Sequence, residues 1–202
     1  MPAAARVAAC SVDRRAGVAL SASGLIDAAL TNPINVTLLE RLPSLSLPQC
    51  VLTAGCLYQA WWNRQAGLPP HWGVKDYDLF YFDHDLSWEA EDRVIRQVAA
   101  LTADLGVTVE VKNQARVHLW YPQRFGLAYP QLNSSREGVD RYLVACTCVA
   151  IDVVSGELYA PFGLNELDHG LLRCNPLTPQ PELFAGKAES YRARWPWLTL
   201  ID

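Results

Sequence analysis

The chain has 202 residues, half of them apolar, and a formal net charge of −4. That length suits a single domain over residues 1–202, and the apolar content excludes disorder over most of it. The mild acidity gives no global grip on a polyanion, so nucleic acid is not indicated as a partner.

No run of about 18 uncharged apolar residues occurs, which argues against a membrane span. The Ala-rich start is broken by Arg6, Asp13, Arg14 and Arg15, unlike a signal peptide, and a cytoplasmic protein is the expectation. The first sixteen residues read as a loose segment. Residues 18–30 and 35–42 have helical apolar spacing, with Asn35 as a candidate cap for the second.

Cys50-Val51-Leu52-Thr53-Ala54 is an apolar run that turns at Gly55 into Leu57-Tyr58-Gln59-Ala60-Trp61-Trp62-Asn63, which reads as strand, tight turn and helix. A polar loop from Gly67 to Lys75 leads into an aromatic-rich strand, Asp76 to Phe82. Ser87 is a candidate N-cap; Val94, Val98, Leu101 and Leu105 then recur at helical spacing until Gly106. Val107 to Lys112 alternates as a half-exposed strand does. Ser134-x-x-Glu137 is a capping box for a helix to about Leu143, and 144–154 with 157–160 reads as a hairpin around Ser155-Gly156. Strands alternating with helices predict an α+β fold, a small mixed sheet flanked by helices.

The six cysteines (Cys10, Cys50, Cys56, Cys146, Cys148 and Cys174) lack C-x-x-C spacing, so they read as small buried hydrophobes rather than a zinc or disulfide framework. Trp61, Trp62, Trp88 and Trp120 read as core or groove aromatics rather than a stacking platform for nucleic acid. Asp83-His84-Asp85 resembles part of a phosphohydrolase metal set, yet it falls between a strand and a helix, where a loop is the plainer role. His71 and His118 have no second ligand at i+3 or i+4.

The chemistry is concentrated in Asp76, Asp78 and Glu110. Residues i and i+2 of a strand share a face, so the two aspartates point together, and a neighbouring strand can bring Glu110 beside them. Clustered carboxylates call for neutralisation, and hard oxygen donors suit Mg²⁺ or Mn²⁺ better than zinc. On these three residues alone an acidic strand end beside an outward-facing glutamate explains the pattern equally well. The turn at Thr53, Gly55 and Cys56 adds a small-residue approach where backbone N–H groups can meet phosphate. Lys112, Asn113, Gln114, Arg116 and His118 follow Glu110 closely, and such a basic, amide-rich run can bind a triphosphate or an acceptor.

This order of elements resembles the polymerase-beta-like nucleotidyltransferase superfamily: a glycine turn, a strand with two spaced acids, then a later strand with a third. TAGCLYQAWWNRQAG, KDYDLFYFDHDLSWEAED, VEVKNQARVHLWY and APFGLNEL resemble, more closely, a bacterial family of predicted minimal nucleotidyltransferases over roughly residues 35–178. The turn has Ala54-Gly55-Cys56 where the superfamily has Gly-Gly or Gly-Ser. The resemblance implies that fold and a two-metal mechanism. Asp76 and Asp78 would hold the ion that binds the NTP, and Glu110 would complete the second site and help activate an acceptor hydroxyl. A catalytically silent nucleotide-binding module on the same fold, or a metal-dependent phosphohydrolase, are the alternatives.

Overall fold

A computed structural model describes residues 19–202; the N-terminal segment expected to be loose lies outside the described residues. Helix α1 (Ala22–Ala29) begins at Ser21, whose hydroxyl accepts from the Gly24 N–H. Helix α2 (Pro33–Arg41) is capped by Asn32, whose side chain accepts from the Ile34 N–H, with Pro33 in the first turn. The cap is therefore Asn32 rather than Asn35: proline at the first helical position has no N–H to leave unpaired, and it fixes the start three residues earlier. Asn35 is buried and donates to the carbonyls of Ala29 and Cys56, joining α1 to the third helix.

Strand β1 (Val51–Thr53) runs into helix α3 (Gly55–Ala66), which ends at Gly67 in the left-handed region, φ 66°. Strand β2 (Tyr77–Tyr81) is followed by helix α4 (Trp88–Leu101), capped by the Ser87 hydroxyl, and by strand β3 (Val109–Asn113). Helices α5 (Val117–Phe125) and α6 (Ser135–Val139) come next. The Ser134 hydroxyl caps α6 through the Glu137 N–H. This helix stops four residues earlier than its sequence suggests, because Asn175 donates to the carbonyls of Asp140 and Tyr142 and draws them off a helical path.

Strands β4 (Ala150–Asp152) and β5 (Leu158–Tyr159) form the expected hairpin. Helix α7 (Asn165–His169), strand β6 (Leu171–Leu172), helix α8 (Pro181–Arg194) and strand β7 (Thr199–Leu200) complete the described chain.

The main sheet has the order β3-β2-β1-β4-β5; β2 and β3 are parallel and every other pairing is antiparallel. A parallel pair needs a crossover, and α4 supplies it. Register places Leu52 beside Leu79 and Ile151, and Leu79 beside Val111. These four residues turn one face of the sheet into the main core with Leu25, Leu38, Leu57 and Trp62. The other face carries a smaller cluster of Val51, Phe80, Cys148 and Ala150 beneath Val139 and Tyr142. Beyond that cluster the same face is polar.

The C-terminal helix is fixed to α3 by aromatic packing. Trp62 lies 5.3 Å from Tyr191 and 5.2 Å from Trp195, ring centre to ring centre. The hydroxyls of Tyr58 and Tyr191 are 2.6 Å apart, and the Trp195 indole donates to Asn63 at 2.9 Å. Edge-to-face aromatic contacts and paired buried polar groups fix an orientation as well as a contact. Cys50, Cys56, Cys146 and Cys148 are buried free thiols and Cys174 is half-buried. Cys10 lies outside the described residues.

Candidate active site

The polar end of the sheet assembles from three neighbouring strands. Thr53 pairs with Asp78 across the antiparallel β1–β2 ladder, and Asp78 pairs with Glu110 across the parallel β2–β3 ladder. Residues opposite one another in a ladder project from the same face, so these side chains form one row, with Asp76 beside Asp78 on that face. The Tyr77 N–H donates to the Thr108 carbonyl at 3.0 Å, tying the start of β2 to the chain entering β3.

Asp76 and Asp78 line a cavity of about 310 Å³ with Ala54, Tyr58, Tyr142 and Thr147, under Arg141 and Lys187. Glu110 lies outside this lining, exposed on the edge strand. Among the described residues no group of three or more His, Cys, Asp or Glu side chains is drawn together closely enough to hold a metal ion. The sheet therefore aligns the three carboxylates on one face, but encloses only two of them.

Burial pushes the Asp78 carboxyl up to about 7, with Asp76 and then Glu110 adding like charge, while Lys187 and Lys112 partly offset this. No hydrogen bond or ion pair within the described residues engages its side chain. Lys187 is exposed along much of its length, yet its ammonium is held below the ordinary lysine value, first by desolvation and then by Arg194.

The turn between β1 and α3 has an unusual backbone. Ala54 sits at φ 64°, ψ −140°, a conformation that L side chains rarely adopt and glycine tolerates. Gly55 opens α3, and a Cβ there would lie 2.4 Å from the Gln59 amide nitrogen. The Thr53 hydroxyl donates to the Val149 carbonyl at 2.7 Å and lies 3.2 Å from the Tyr142 hydroxyl. The Cys56 thiol is buried and donates to the Thr53 carbonyl. The Thr53 and Cys56 side chains thus hold the turn, and Ala54 lines the cavity.

The polar run after Glu110 divides. Lys112 remains on the carboxylate face, its ammonium 5.9 Å from the Trp120 ring centre. Asn113 is buried: its N–H donates to Glu91, its side-chain oxygen accepts from the Asp83 and Ala115 N–H groups, and its amide donates to the Asp83 carbonyl. Gln114 is buried against Gly138. Arg116 donates to the Leu86 carbonyl and forms a buried ion pair with Glu91. His118 is half-buried, and its Nδ1 has no hydrogen-bond partner among the described residues. Asn113 and Arg116 therefore fasten β3 to α4 and the chain leading into it, and Gln114 packs against α6, leaving Lys112 the run's cation on the site face.

Asp83-His84-Asp85 is that leading chain. The Asp83 carboxylate accepts from the Asp85 N–H and the Asp85 carboxylate from the Ser87 N–H, each at 2.9 Å. Those bonds shape a turn before α4. A second cavity, of about 290 Å³, is lined by Gln49, Val51, Ser135, Arg136 and Asp152. Its one acid is occupied by the N–H groups of Val154 and Ser155.

The Nucleotidyltransferase family matches residues 40–200. The chain belongs to this nucleotidyltransferase family. Its fold is similar to a structure solved by NMR and described as revealing a CCA-adding enzyme head domain, with TM-score 0.72 and 22% identity over 90% of this chain and 96% of that one. It is also similar to the Thermotoga maritima CCA-adding enzyme complexed with tRNA, with TM-score 0.52 and 13% identity over 91% of this chain and 43% of that one. No curated protein matches the chain. The mixed sheet flanked by helices is the nucleotidyltransferase fold expected from the order of its elements. Among the described residues no helix is long and apolar enough to cross a membrane.

Proposed function

We propose that this nucleotidyltransferase moves a nucleoside monophosphate from an NTP to a hydroxyl acceptor, using two Mg²⁺ or Mn²⁺ ions held by Asp76, Asp78 and Glu110. The observation that carries the reading is Asp78: an enclosed, unpaired carboxylate at a cavity floor, beside a second aspartate and in register with a glutamate. A carboxylate made a weaker acid by burial and by two neighbouring acids fits a hard divalent cation, which would supply the missing positive charge. When bound, the ions polarise the phosphoryl oxygens and neutralise charge that develops on them.

The protein's own groups do the rest. The backbone of the Thr53–Cys56 turn faces incoming phosphate at the start of α3, a 12-residue helix whose first N–H groups suit an anion. Lys112, on the carboxylate face, would bind the triphosphate or the acceptor, and His118, with its unpartnered Nδ1, is a second candidate. Glu110, which would also help hold the second ion, would help activate the acceptor hydroxyl by taking its proton; the acceptor oxygen then bonds to the α-phosphorus as the bond to the bridging oxygen breaks, and pyrophosphate leaves with that electron pair.

Thermal shift with each of the four NTPs and Mn²⁺, followed by pyrophosphate release against pools of hydroxyl acceptors, tests this. The tRNA bound by the T. maritima relative is a natural first member of the pool. Stabilisation by an NTP with metal, lost in Asp78→Ala, is expected. A wild-type protein that responds to no NTP with either metal would refute the reading, and binding without pyrophosphate release would leave the silent module.

A further inference from the structure

Opposite the aspartates, the cavity carries two cations whose positions the rest of the fold fixes. Arg141 lies on the segment after α6. Thr178 holds that segment by donating to the Arg141 carbonyl at 3.1 Å, and Asn175 holds it by donating to the carbonyls on either side, of Asp140 at 2.6 Å and Tyr142 at 2.7 Å. Lys187 projects from the middle of α8, one turn before the buried Tyr191 and next to the buried Ala188. Its ammonium is 5.4 Å from the Tyr191 ring centre, and that ring is set by its hydroxyl contact with Tyr58.

Neither cation closes onto the acids. The ion pairs among the described residues are Arg41–Asp104, Arg96–Asp92, Arg116–Glu91 and Arg173–Glu166, so Lys187 and Arg141 stand more than 4.0 Å from both aspartates. Lys187 makes no hydrogen bond among the described residues; the Arg141 side chain makes one, to the Leu177 carbonyl at 3.4 Å, and its guanidinium lies 5.8 Å from the Tyr129 ring centre. Two acids and two cations with spare donors line one cavity yet stand apart, which leaves a gap between opposite charges. A flexible lysine meant only to neutralise Asp78 would have crossed that gap. A polyphosphate would fill it, with Asp76 and Asp78 the residues to hold its divalent cation and lysine and arginine the donors to its oxygens. At about 310 Å³ the cavity lies at the small end of ligand pockets, which suits the phosphate arm with the nucleoside outside.

We propose that Lys187 and Arg141 bind the polyphosphate arm of the nucleotide, across the cavity from Asp76 and Asp78. The inference rests on the nucleotidyltransferase reading and adds two binding residues to it.

Tripolyphosphate with Mn²⁺ is a probe free of base preference, and calorimetric titration reads its affinity beside that of orthophosphate. Lys187→Met and Arg141→Met should each weaken tripolyphosphate binding about tenfold or more, the loss typical of a hydrogen bond to a charged group. The preference for tripolyphosphate over orthophosphate should shrink with it. Lys187→Arg should restore most of the affinity, and Mn²⁺ binding without phosphate, read by its paramagnetic resonance signal, should persist in both methionine variants. Circular dichroism checks that each variant is folded. Wild-type preference for tripolyphosphate retained in both methionine variants would overturn the inference and leave the nucleotidyltransferase reading intact. A wild-type protein that binds neither NTP nor tripolyphosphate with metal would overturn both.

Discussion

Replacing Asp78 with asparagine should stabilise the metal-free protein while removing its metal-dependent response. The aspartate is enclosed beside Asp76 and Glu110, and its carboxyl is raised from 3.8 to about 7. Because the folded state holds this proton more tightly than the unfolded chain, stability is greatest below pH 4. It declines as pH climbs toward 7, and above that the deficit is constant. At 1.36 kcal/mol per pH unit, the interval corresponds to an upper bound of about 4 kcal/mol at pH 8. For a chain of this size that is a rise in Tm of up to roughly 15 °C in Asp78→Asn. Other carboxylates shift the absolute curve, among them Asp85 and Asp152, which are held below the usual range. They are common to both proteins, so the difference between the two isolates Asp78.

Thermal melts with chelator at pH 4, 6 and 8 provide the assay. The stability gap should be near zero at pH 4 and widest at pH 8, and saturating Mn²⁺ with NTP should narrow it from the wild-type side alone. A gap that does not change with pH, or an asparagine variant less stable than wild type at pH 8, would refute the electrostatic reasoning.

Ala54→Gly should raise stability by about 1 kcal/mol, since it relieves a positive-φ conformation costing about 1–3 kcal/mol against a smaller entropic loss; urea unfolding measures it, and destabilisation would mean that the turn is not strained. Arg116→Met should cost about 3 kcal/mol by leaving Glu91 buried without its partner, read from the denaturation midpoint. Asn32→Ala should cost about 1–2 kcal/mol, because the same side chain caps α2 and donates to the Tyr77 hydroxyl at 3.1 Å. Asn35→Ala should also destabilise, but through the lost bonds between helices rather than through the cap, which Asn32 still supplies; an unchanged denaturation midpoint would contradict this.

The parts of the fold legible in the sequence are those where one periodicity dominates. Asp76-x-Asp78 and the alternation around Glu110 place three acids on one face by the geometry of a strand alone, and the Ser87 and Ser134 caps announce α4 and α6. Helix α8 was illegible because it rests on the core mainly through Ala188 and Tyr191, too few residues to draw an apolar stripe. With it went Lys187, whose place over the cavity depends on an aromatic contact between segments more than a hundred residues apart. The run after Glu110 misleads for a related reason. Its amides and arginine look like exposed ligand donors, but the chain entering the short 3-10 turn at Gln114–Arg116 rolls them inward, Asn113 onto Asp83, Gln114 onto Gly138 and Arg116 onto Glu91 and Leu86. Exposure of a polar run is a tertiary property, and spacing does not encode it.

The most direct test is a crystal of the wild-type protein soaked with Mn²⁺ and a non-hydrolysable NTP, with anomalous scattering used to locate the metal. Manganese is expected on Asp76 and Asp78, with Glu110 drawn in to the same centre and the triphosphate lying between the metal and Lys187. Manganese and nucleotide bound elsewhere, with the Asp78 carboxylate free of both, would contradict it.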